Sequence, residues 1–416
     1  MAHPSTRDID ILIYGATGFT GQLVADYMQQ HYRRAGLTWA LGGRDQRKLE
    51  AVARRLAGDS GEGPDIFVAD SGDPQRLSEL VARTRVVLTT VGPYARYGSP
   101  LVAACAALGT DYCDLTGEVQ WMQQMIAQHQ ASAIASGARI VHTCGFDSIP
   151  SDLGVYRLVD EMSVRHGCTP VRVKYRMRDA SGGFSGGTFD SLVTMAEQAA
   201  ADPSIRAIVD DPYALNPPDQ PRGPDGPEAT MPAWDEDFDG WVGPFVMAPI
   251  NTRVVRRSNA LMNFRYGPDF RYDEAMLLPW GSWGWFAAAA LSFGMGAIHA
   301  MARFGPTRSV LRALGPKPGT GPSEAQQRRG FFDVELLAEH PTDRTKDLRL
   351  TIHGDRDPGY GSTSRMIAEC AVCLASDAPT CGGGFWTPAS AMGDHLLERL
   401  PRNAGVSFEL APAGRT

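Results

Sequence analysis

Over the first 150 residues, apolar positions fall in short runs, each followed by a longer stretch with helical spacing. Ile9, Ile11 and Ile13 alternate with Leu12 and Tyr14 and predict a strand that is apolar on both faces, as a parallel strand covered by helices is. Further strands are predicted at Thr38–Gly42, Pro64–Asp70, Arg85–Val91, Asp111–Leu115 and Arg139–Cys144, with helices between them. This alternation predicts an α/β fold built on a Rossmann-type, doubly wound parallel sheet.

From about residue 168 the period changes. Val171, Val173, Tyr175 and Met177 alternate with Arg172, Lys174, Arg176 and Arg178, which predicts a strand with one buried and one basic face. Phe332–His340 and Asp347–Asp355 predict an antiparallel hairpin, in which Asp333 and Glu335 can pair with the arginines across the sheet. The competing reading of the basic stripe is a cationic face toward a carrier protein. Residues 201–240, rich in Pro, Gly and Asp, predict a long surface loop or lid.

Ala275–Ala302 contains no Asp, Glu, Lys or Arg and is long enough to cross a bilayer. Pro279, four glycines and the bunching of Trp280, Trp283 and Trp285 argue against a simple span. An interfacial helix, a re-entrant hairpin, a wall around an acyl chain and a plain core helix remain as readings. A helix capped by Thr387, with Pro388 in its first turn, runs to about Leu400 and leads into a terminal strand at Val406–Leu410. That unit is expected to rejoin the first sheet. The expected organisation is a Rossmann domain of residues 1–160 and 383–416, interrupted by a mixed or antiparallel α+β domain of residues 161–382.

Length and composition narrow the class. The chain has 416 residues, enough for two domains. Its formal net charge of −7, without a Lys/Arg-rich run, argues against a nucleic-acid partner. Met1–Arg7 leads into the first strand without an apolar leader, and seven scattered cysteines suit a reducing compartment, so a cytoplasmic location is expected. Cys370 and Cys373 form a CxxC on the apolar face of a predicted helix, Met366–Leu374, with no second ligand pair nearby; packing is the reading. No HExxH, GxSxG or Walker motif occurs, and no metal site is expected.

The candidate chemistry gathers where the predicted strands end. Gly15, Gly18 and Gly21 follow the first strand with dinucleotide spacing, and the whole turn of Gly15, Ala16, Thr17, Gly18, Phe19, Thr20 and Gly21 is assigned to the pyrophosphate. The second strand ends at Gly43-Arg44-Asp45. An arginine there, helped by Arg47 or Lys48, suits a 2′-phosphate and predicts NADP(H), while Asp45 caps the next helix. Asp70 after strand three is a candidate for the adenine edge, and Gly92 and Pro93 after strand four for the nicotinamide riboses. Asp114 and Glu118 follow strand five, either as an acid/base pair or as part of a cap at Thr116. Strand six ends in CGFDSIPSD, where Asp147, Ser148 and Ser151 read as helix caps, or Gly145-Phe146-Asp147 as a stretch that approaches a nicotinamide. Arg253, Arg256 and Arg257 are candidates for a substrate phosphate or carboxylate, or for a membrane surface.

Together, GATGFTG, TTVGPYARYGSPLVAACAALGTDYCDLTGE, CGFDSIPSD, NTRVVRRSNAL, PKPGTGPS and TPASAMGDHLLERLP resemble the saccharopine dehydrogenase-like oxidoreductases, and within them the trans-acting enoyl reductases of actinobacterial lipid synthesis. The resemblance covers nearly the whole chain. It implies NADP(H), an unsaturated acyl thioester or lipid substrate presented by a carrier protein, and membrane-associated lipid or glycolipid biosynthesis at the inner face of the plasma membrane. Under that reading Tyr94 is the first candidate for a hydroxyl that stabilises an enolate, Tyr97 the second, and Asp147 an orienting or proton-relay group. A dehydrogenase acting on a C–N bond and a non-catalytic, cofactor-binding membrane adaptor are the alternatives, and a homo-oligomer is left open.

Overall fold

The structure, a computed structural model, describes residues 7–58, 61–182, 186–278, 281–315, 321–377 and 379–412. The readings made on Met1–Thr6, Pro279, Trp280 and most of PKPGTGPS lie outside the described residues. Six strands open the chain: β1 (Ile9–Tyr14), β2 (Trp39–Gly43), β3 (Asp65–Val68), β4 (Thr84–Thr89), β5 (Asp111–Cys113) and β6 (Arg139–Val141). There follow β7 (Arg172–Ser181), β8 (Ala233–Asp235), β9 (Gly240–Gly243), β10 (Arg271–Leu278), β11 (Phe331–Glu339), β12 (Leu348–Gly354), β13 (Gly384–Trp386) and β14 (Val406–Pro412).

The first sheet is seven-stranded and parallel throughout, in the order β13-β6-β5-β4-β1-β2-β3. Its strand order reverses between β1 and β4, so the carboxyl ends of those two strands flank the crevice where such sheets bind ligands. The second sheet has the order β14-β12-β11-β7-β10-β9-β8 and is antiparallel except for the β7–β10 pair. The fold is therefore α/β with a second, mixed sheet, as the alternation implied.

The chain passes between the sheets differently from the expected split at residues 160 and 383. β14 does not rejoin the first sheet. It pairs with β12, setting Phe408 opposite Ile352 and Leu410 opposite Leu350, because its apolar positions match that edge. Only the three-residue β13 returns to the first sheet, beside β6; it is too short to show a periodicity. The helix Thr363–Ser376, inside the expected insertion, packs on β4, β5 and the helix Phe19–Tyr32 of the first sheet. Cys370 and Cys373 are buried in it, in keeping with packing.

One hydrophobic core runs through both sheets, joining Ile11, Ile13 and Leu88 to Val173, Tyr175 and Leu336. Each fully buried side chain of this size contributes about 1.5–3 kcal/mol. The helix Ile149–His166 packs closely on the second sheet: a Cβ on its Gly154 would sit 2.9 Å from Leu336 Cδ2 and 3.0 Å from Ile352 Cδ1. A shared, close-packed core fixes how the sheets face each other. The cleft between them has preformed walls.

Segment 201–240 is less irregular than expected. It holds the helix Pro203–Asp210 and β8, and its remaining loop is pinned from below. Arg253 donates to the carbonyls of Asp211 (2.9 Å) and Val209 (2.6 Å), and Arg256 donates to Asp225 (3.0 Å) and the Pro212 carbonyl (3.1 Å). Arg257, fully buried and pushed down to about 10 by that burial, donates to the carbonyls of Leu215 and Phe385 (2.7 Å). These three arginines stitch a loop to the core, and none lines the cleft.

Candidate active site

A cleft of about 490 Å³ opens where the carboxyl ends of β1 and β4 meet the second sheet. One half of it is the glycine turn. Gly15 has φ +93° and stands so close to β4 that a Cβ would lie 2.6 Å from Val91 Cγ2. A Cβ on Gly21 would lie 2.2 Å from the Gly15 carbonyl oxygen, so only glycine lets the helix Phe19–Tyr32 begin this close to the strand. Gly18 is that helix's N-cap and brings no side-chain cap, which leaves the first-turn amides for an anion. Gly15, Thr17, Gly18, Phe19 and Thr20 line the cleft; Ala16 and Gly21 are buried in the turn behind them.

Arg44 also lines this half. It is exposed and has no ion pair among the described residues, and it shares an adjoining hollow with Asp45, Gln46, Arg47 and Glu50. Asp45 is spent on the helix cap, accepting from the Lys48 amide at 3.1 Å, and it also draws the Lys48 ammonium, at 3.9 Å. Arg44 and Arg47 are thus the cations left for a 2′-phosphate. The glycine cradle, the uncapped helix and the unpaired guanidinium together fit NADP(H).

Two assignments on this side change. Asp70 does not line the cleft: its Oδ1 accepts the Gly72 amide at 2.8 Å, and Ser71 takes the lining position. Gly92 lines the cleft, whereas Pro93, joined to it by a cis peptide bond, lies behind and caps the short helix Tyr94–Tyr97.

The structure also changes the ranking of the catalytic candidates. Tyr94, Tyr97 and Asp147 all reach the cleft. Tyr94, however, is 5% exposed, and its hydroxyl donates to the Thr89 carbonyl and accepts the Leu115 amide, both at 3.1 Å. Burial pushes that phenol well above its ordinary range. This hydroxyl, engaged on both sides, has the geometry of a strut between two strand ends. Tyr94→Phe is therefore expected to cost about 1–2 kcal/mol of stability and to leave turnover at saturating NADPH unchanged, as a melting curve and initial rates will show. A fall in turnover without a fall in Tm would return Tyr94 to the chemistry.

Tyr97 is 41% exposed and lines the cleft. Asp147 lines the same cleft as the glycine turn, and its carboxyl makes no hydrogen bond to the described residues. Burial, and then the charge of Asp114, push it up to about 7. Ser148 holds the N-cap position of the following helix, but no side chain there makes a capping hydrogen bond. Ser148 Oγ donates instead to Asn251 Oδ1 at 3.0 Å, which leaves Asp147 free for the cleft.

Asp114 and Glu118 do not form an acid/base pair. Asp114 is fully buried and saturated by Tyr112 Oη (2.9 Å), His142 Nδ1 (2.7 Å) and the amides of Thr116 (3.1 Å) and Thr143 (3.2 Å). Glu118 accepts the amides of Tyr94 (2.8 Å) and Ala95 (3.0 Å) and the hydroxyl of Ser191 (3.0 Å), so it holds the loop after β4 against the helix Gly186–Ala201. Burial pushes its carboxyl up, and those three donors pull against that. Sequence reasoning missed this clamp because its partners lie far along the chain.

The other half of the cleft is apolar. Phe146, Met177, Leu192, Phe245, Met247 and Met276 form its wall, and Tyr360 meets Phe19 edge-on with ring centroids 4.8 Å apart. Met177 and Met276 come from neighbouring strands β7 and β10, a pairing that the alternation of β7 alone did not reveal. Among the described lining residues the charged side chains are Arg44 and Asp147. The basic stripe is neutralised elsewhere. Arg172 pairs with Asp273, Lys174 with Asp235 and Asp237, Arg176 with Asp235 and Asp273, and Arg178 with Glu335. Cross-strand pairing thus accounts for the stripe, although Asp333 turns to His353 (2.7 Å).

Such a sheet, cradle and cleft define a dinucleotide-dependent oxidoreductase. Residues 11–141 match the saccharopine dehydrogenase NADP binding domain. A Mycobacterium tuberculosis (strain ATCC 25618 / H37Rv) protein, provisionally named a trans-acting enoyl reductase, is 42% identical over 420 residues, 97% of each chain. The trans-acting enoyl reductase of Mycobacterium leprae (strain TN) is 40% identical over 421 residues, 97% of this chain and 98% of that one. Among solved structures, the apo saccharopine dehydrogenase (L-Glu forming) of Saccharomyces cerevisiae superposes with a TM-score of 0.53 at 12% identity, covering 97% of this chain and 99% of that one; it shares the fold. The chain belongs to the trans-acting enoyl reductase family within the saccharopine dehydrogenase-like oxidoreductases, and it is an NADP(H)-dependent oxidoreductase.

Proposed function

We propose that this protein reduces the carbon–carbon double bond of an α,β-unsaturated acyl thioester made by, and presented from, another protein. The observation that carries this reading is the charge pattern of the cleft. Its substrate half is walled by methionine, phenylalanine and leucine, and Asp147 is the one acid or base of the Asp, Glu, Lys, Arg and His types there among the described residues. A dicarboxylate undergoing C–N chemistry needs paired cations at the same place. Arg253, Arg256 and Arg257 are consumed by loop carbonyls and acids, which speaks against that alternative. Family membership speaks against a non-catalytic adaptor.

NADP(H), when bound, supplies the hydride that reaches the β-carbon. The protein's part is to steady the charge that builds on the thioester oxygen and to deliver a proton to the α-carbon. Tyr97 donates a hydrogen bond to that oxygen. Asp147, which burial holds up at about 7 so that it can keep a proton near neutral pH, gives that proton to the α-carbon and recovers one from solvent. The apolar wall excludes water and holds the acyl chain extended across the cleft.

The test is NADPH consumption with an enoyl thioester beside a 2-oxo-dicarboxylate plus amine. Consumption with the thioester alone, with a saturated acyl product by mass spectrometry, is expected. Consumption with the dicarboxylate pair alone would overturn the reading.

A further inference from the structure

The described part of the apolar segment comprises the end of β10, a 3-10 turn at Gly281–Trp283 and the twenty-residue helix Gly284–Arg303, which is about 30 Å long. It is not a core helix. Only 11% of its most apolar window is buried, and Phe293 is 80% exposed, Trp283 71% and Phe286 59%. Phe286 and Phe293, seven residues apart, stand on one line along the helix, and Phe304 at its C-cap continues that line. The outward face from 283 to 302 carries no acid and no Lys or Arg. A helix facing water is expected to carry charge there.

We infer that this face docks on a lipid bilayer surface, with the helix lying in the interface. Three observations choose lipid over other occupants. Tryptophan gathers at one end: Trp283 and Trp285 flank Gly284, where a Cβ would lie 2.9 Å from Trp241, and the exposed Trp234 packs on Trp241. That is the residue type favoured at headgroup depth. The other end is cationic. Arg308 and Arg312 turn inward to Glu197, whereas Arg303 is exposed without an ion pair among the described residues, complementary to headgroup phosphate. Lastly, the helix packs on Gly186–Ala201, whose Ser191 and Leu192 line the cleft, so a bilayer under its outward face would lie one helix away from the active site.

Spanning is excluded by the contacts at both ends. β10 enters the helix from the second sheet, and the segment after it is tied back to the same body by Arg308 and Glu197 (2.6 Å). The helix therefore has one side packed on the protein and one side for the interface, the geometry of a monotopic helix. The inference stands independently of which double bond the enzyme reduces.

The test is co-sedimentation of the full chain with vesicles of phosphatidylcholine and phosphatidylglycerol, and with phosphatidylcholine alone. Wild type is expected to pellet with the mixed vesicles, and the double variant Phe286→Ser/Phe293→Ser to lose at least about tenfold in partitioning. Arg303→Glu is expected to weaken binding to the mixed vesicles and not to phosphatidylcholine. Both variants change exposed side chains outside the cleft, so NADPH-dependent turnover of a short, soluble thioester is expected to be unchanged. Equal partitioning of wild type and double variant overturns the inference. So does a wild type that ignores vesicles, including one that dimerises in solution through a contact the double variant abolishes, which would assign the face to a second copy. A protein inert toward thioesters would leave the vesicle result readable, and a protein that ignores vesicles would leave the reductase reading intact.

Discussion

Asp147→Asn is expected to lower turnover by about 10²- to 10⁴-fold while NADPH binding stays intact. Asparagine keeps the shape of the carboxyl but has no acidic proton to give. The side chain makes no hydrogen bond to the described residues, so the substitution removes chemistry without breaking a structural contact. The pH profile carries the sign. Burial, then Asp114, raises Asp147 to about 7, and it acts as an acid, so the active form dominates below that value. In wild type, kcat/KM is expected to be level on the acid side and to fall about tenfold per pH unit above it. In Asp147→Asn that inflection disappears. A variant that keeps wild-type turnover, or one that keeps the same inflection, removes Asp147 from the proton transfer and leaves Tyr97 as the donor to test.

Arg44→Ala is expected to weaken NADPH binding by about 1.5–3 kcal/mol, roughly ten- to 150-fold, and to leave NADH nearly unaffected. The asymmetry follows from geometry. Arg44 stands at the end of β2, where the ribose 2′ substituent of a dinucleotide on the glycine turn falls, and it has no ion pair of its own to lose. Because the guanidinium is exposed, added salt is expected to narrow the gap between wild type and variant. Fluorescence titration with each nucleotide at low and high ionic strength measures both effects. Equal losses for NADPH and NADH would mean that Arg44 supports the loop and does not read the phosphate; Arg47, in the same hollow, would then be the candidate.

The cofactor half of the cleft was legible because its determinants are consecutive. Gly15 to Gly21 act through backbone conformation and close approach, and Arg44 follows directly on a strand end. Local sequence suffices for such a site. The catalytic half was not legible in the same way. Tyr94 and Tyr97 are three residues apart, and only their surroundings separate a buried strut from an accessible hydroxyl. Likewise, the sequence offers Asp147 as a cap as readily as an acid. What frees it is that the helix start takes no side-chain cap and that Ser148 bonds to Asn251, over a hundred positions away.

By itself the sequence determined the alternation of strands and helices, the parallel nature of the first sheet, the dinucleotide turn and the preference for a 2′-phosphate. Each depends on periodicity or on residues a few positions apart, and hydrophobic patterning and backbone sterics act at that range. Tertiary structure alone decided that β14 completes the second sheet, that the arginines of 253–257 serve a loop, and that the wall facing Asp147 is apolar. It also decided that the long apolar helix lies on the surface. The physical reason is shared: whether a charge is paired, a hydroxyl spent or an apolar face covered depends on partners brought together by the common core, and no spacing along the chain encodes their distance.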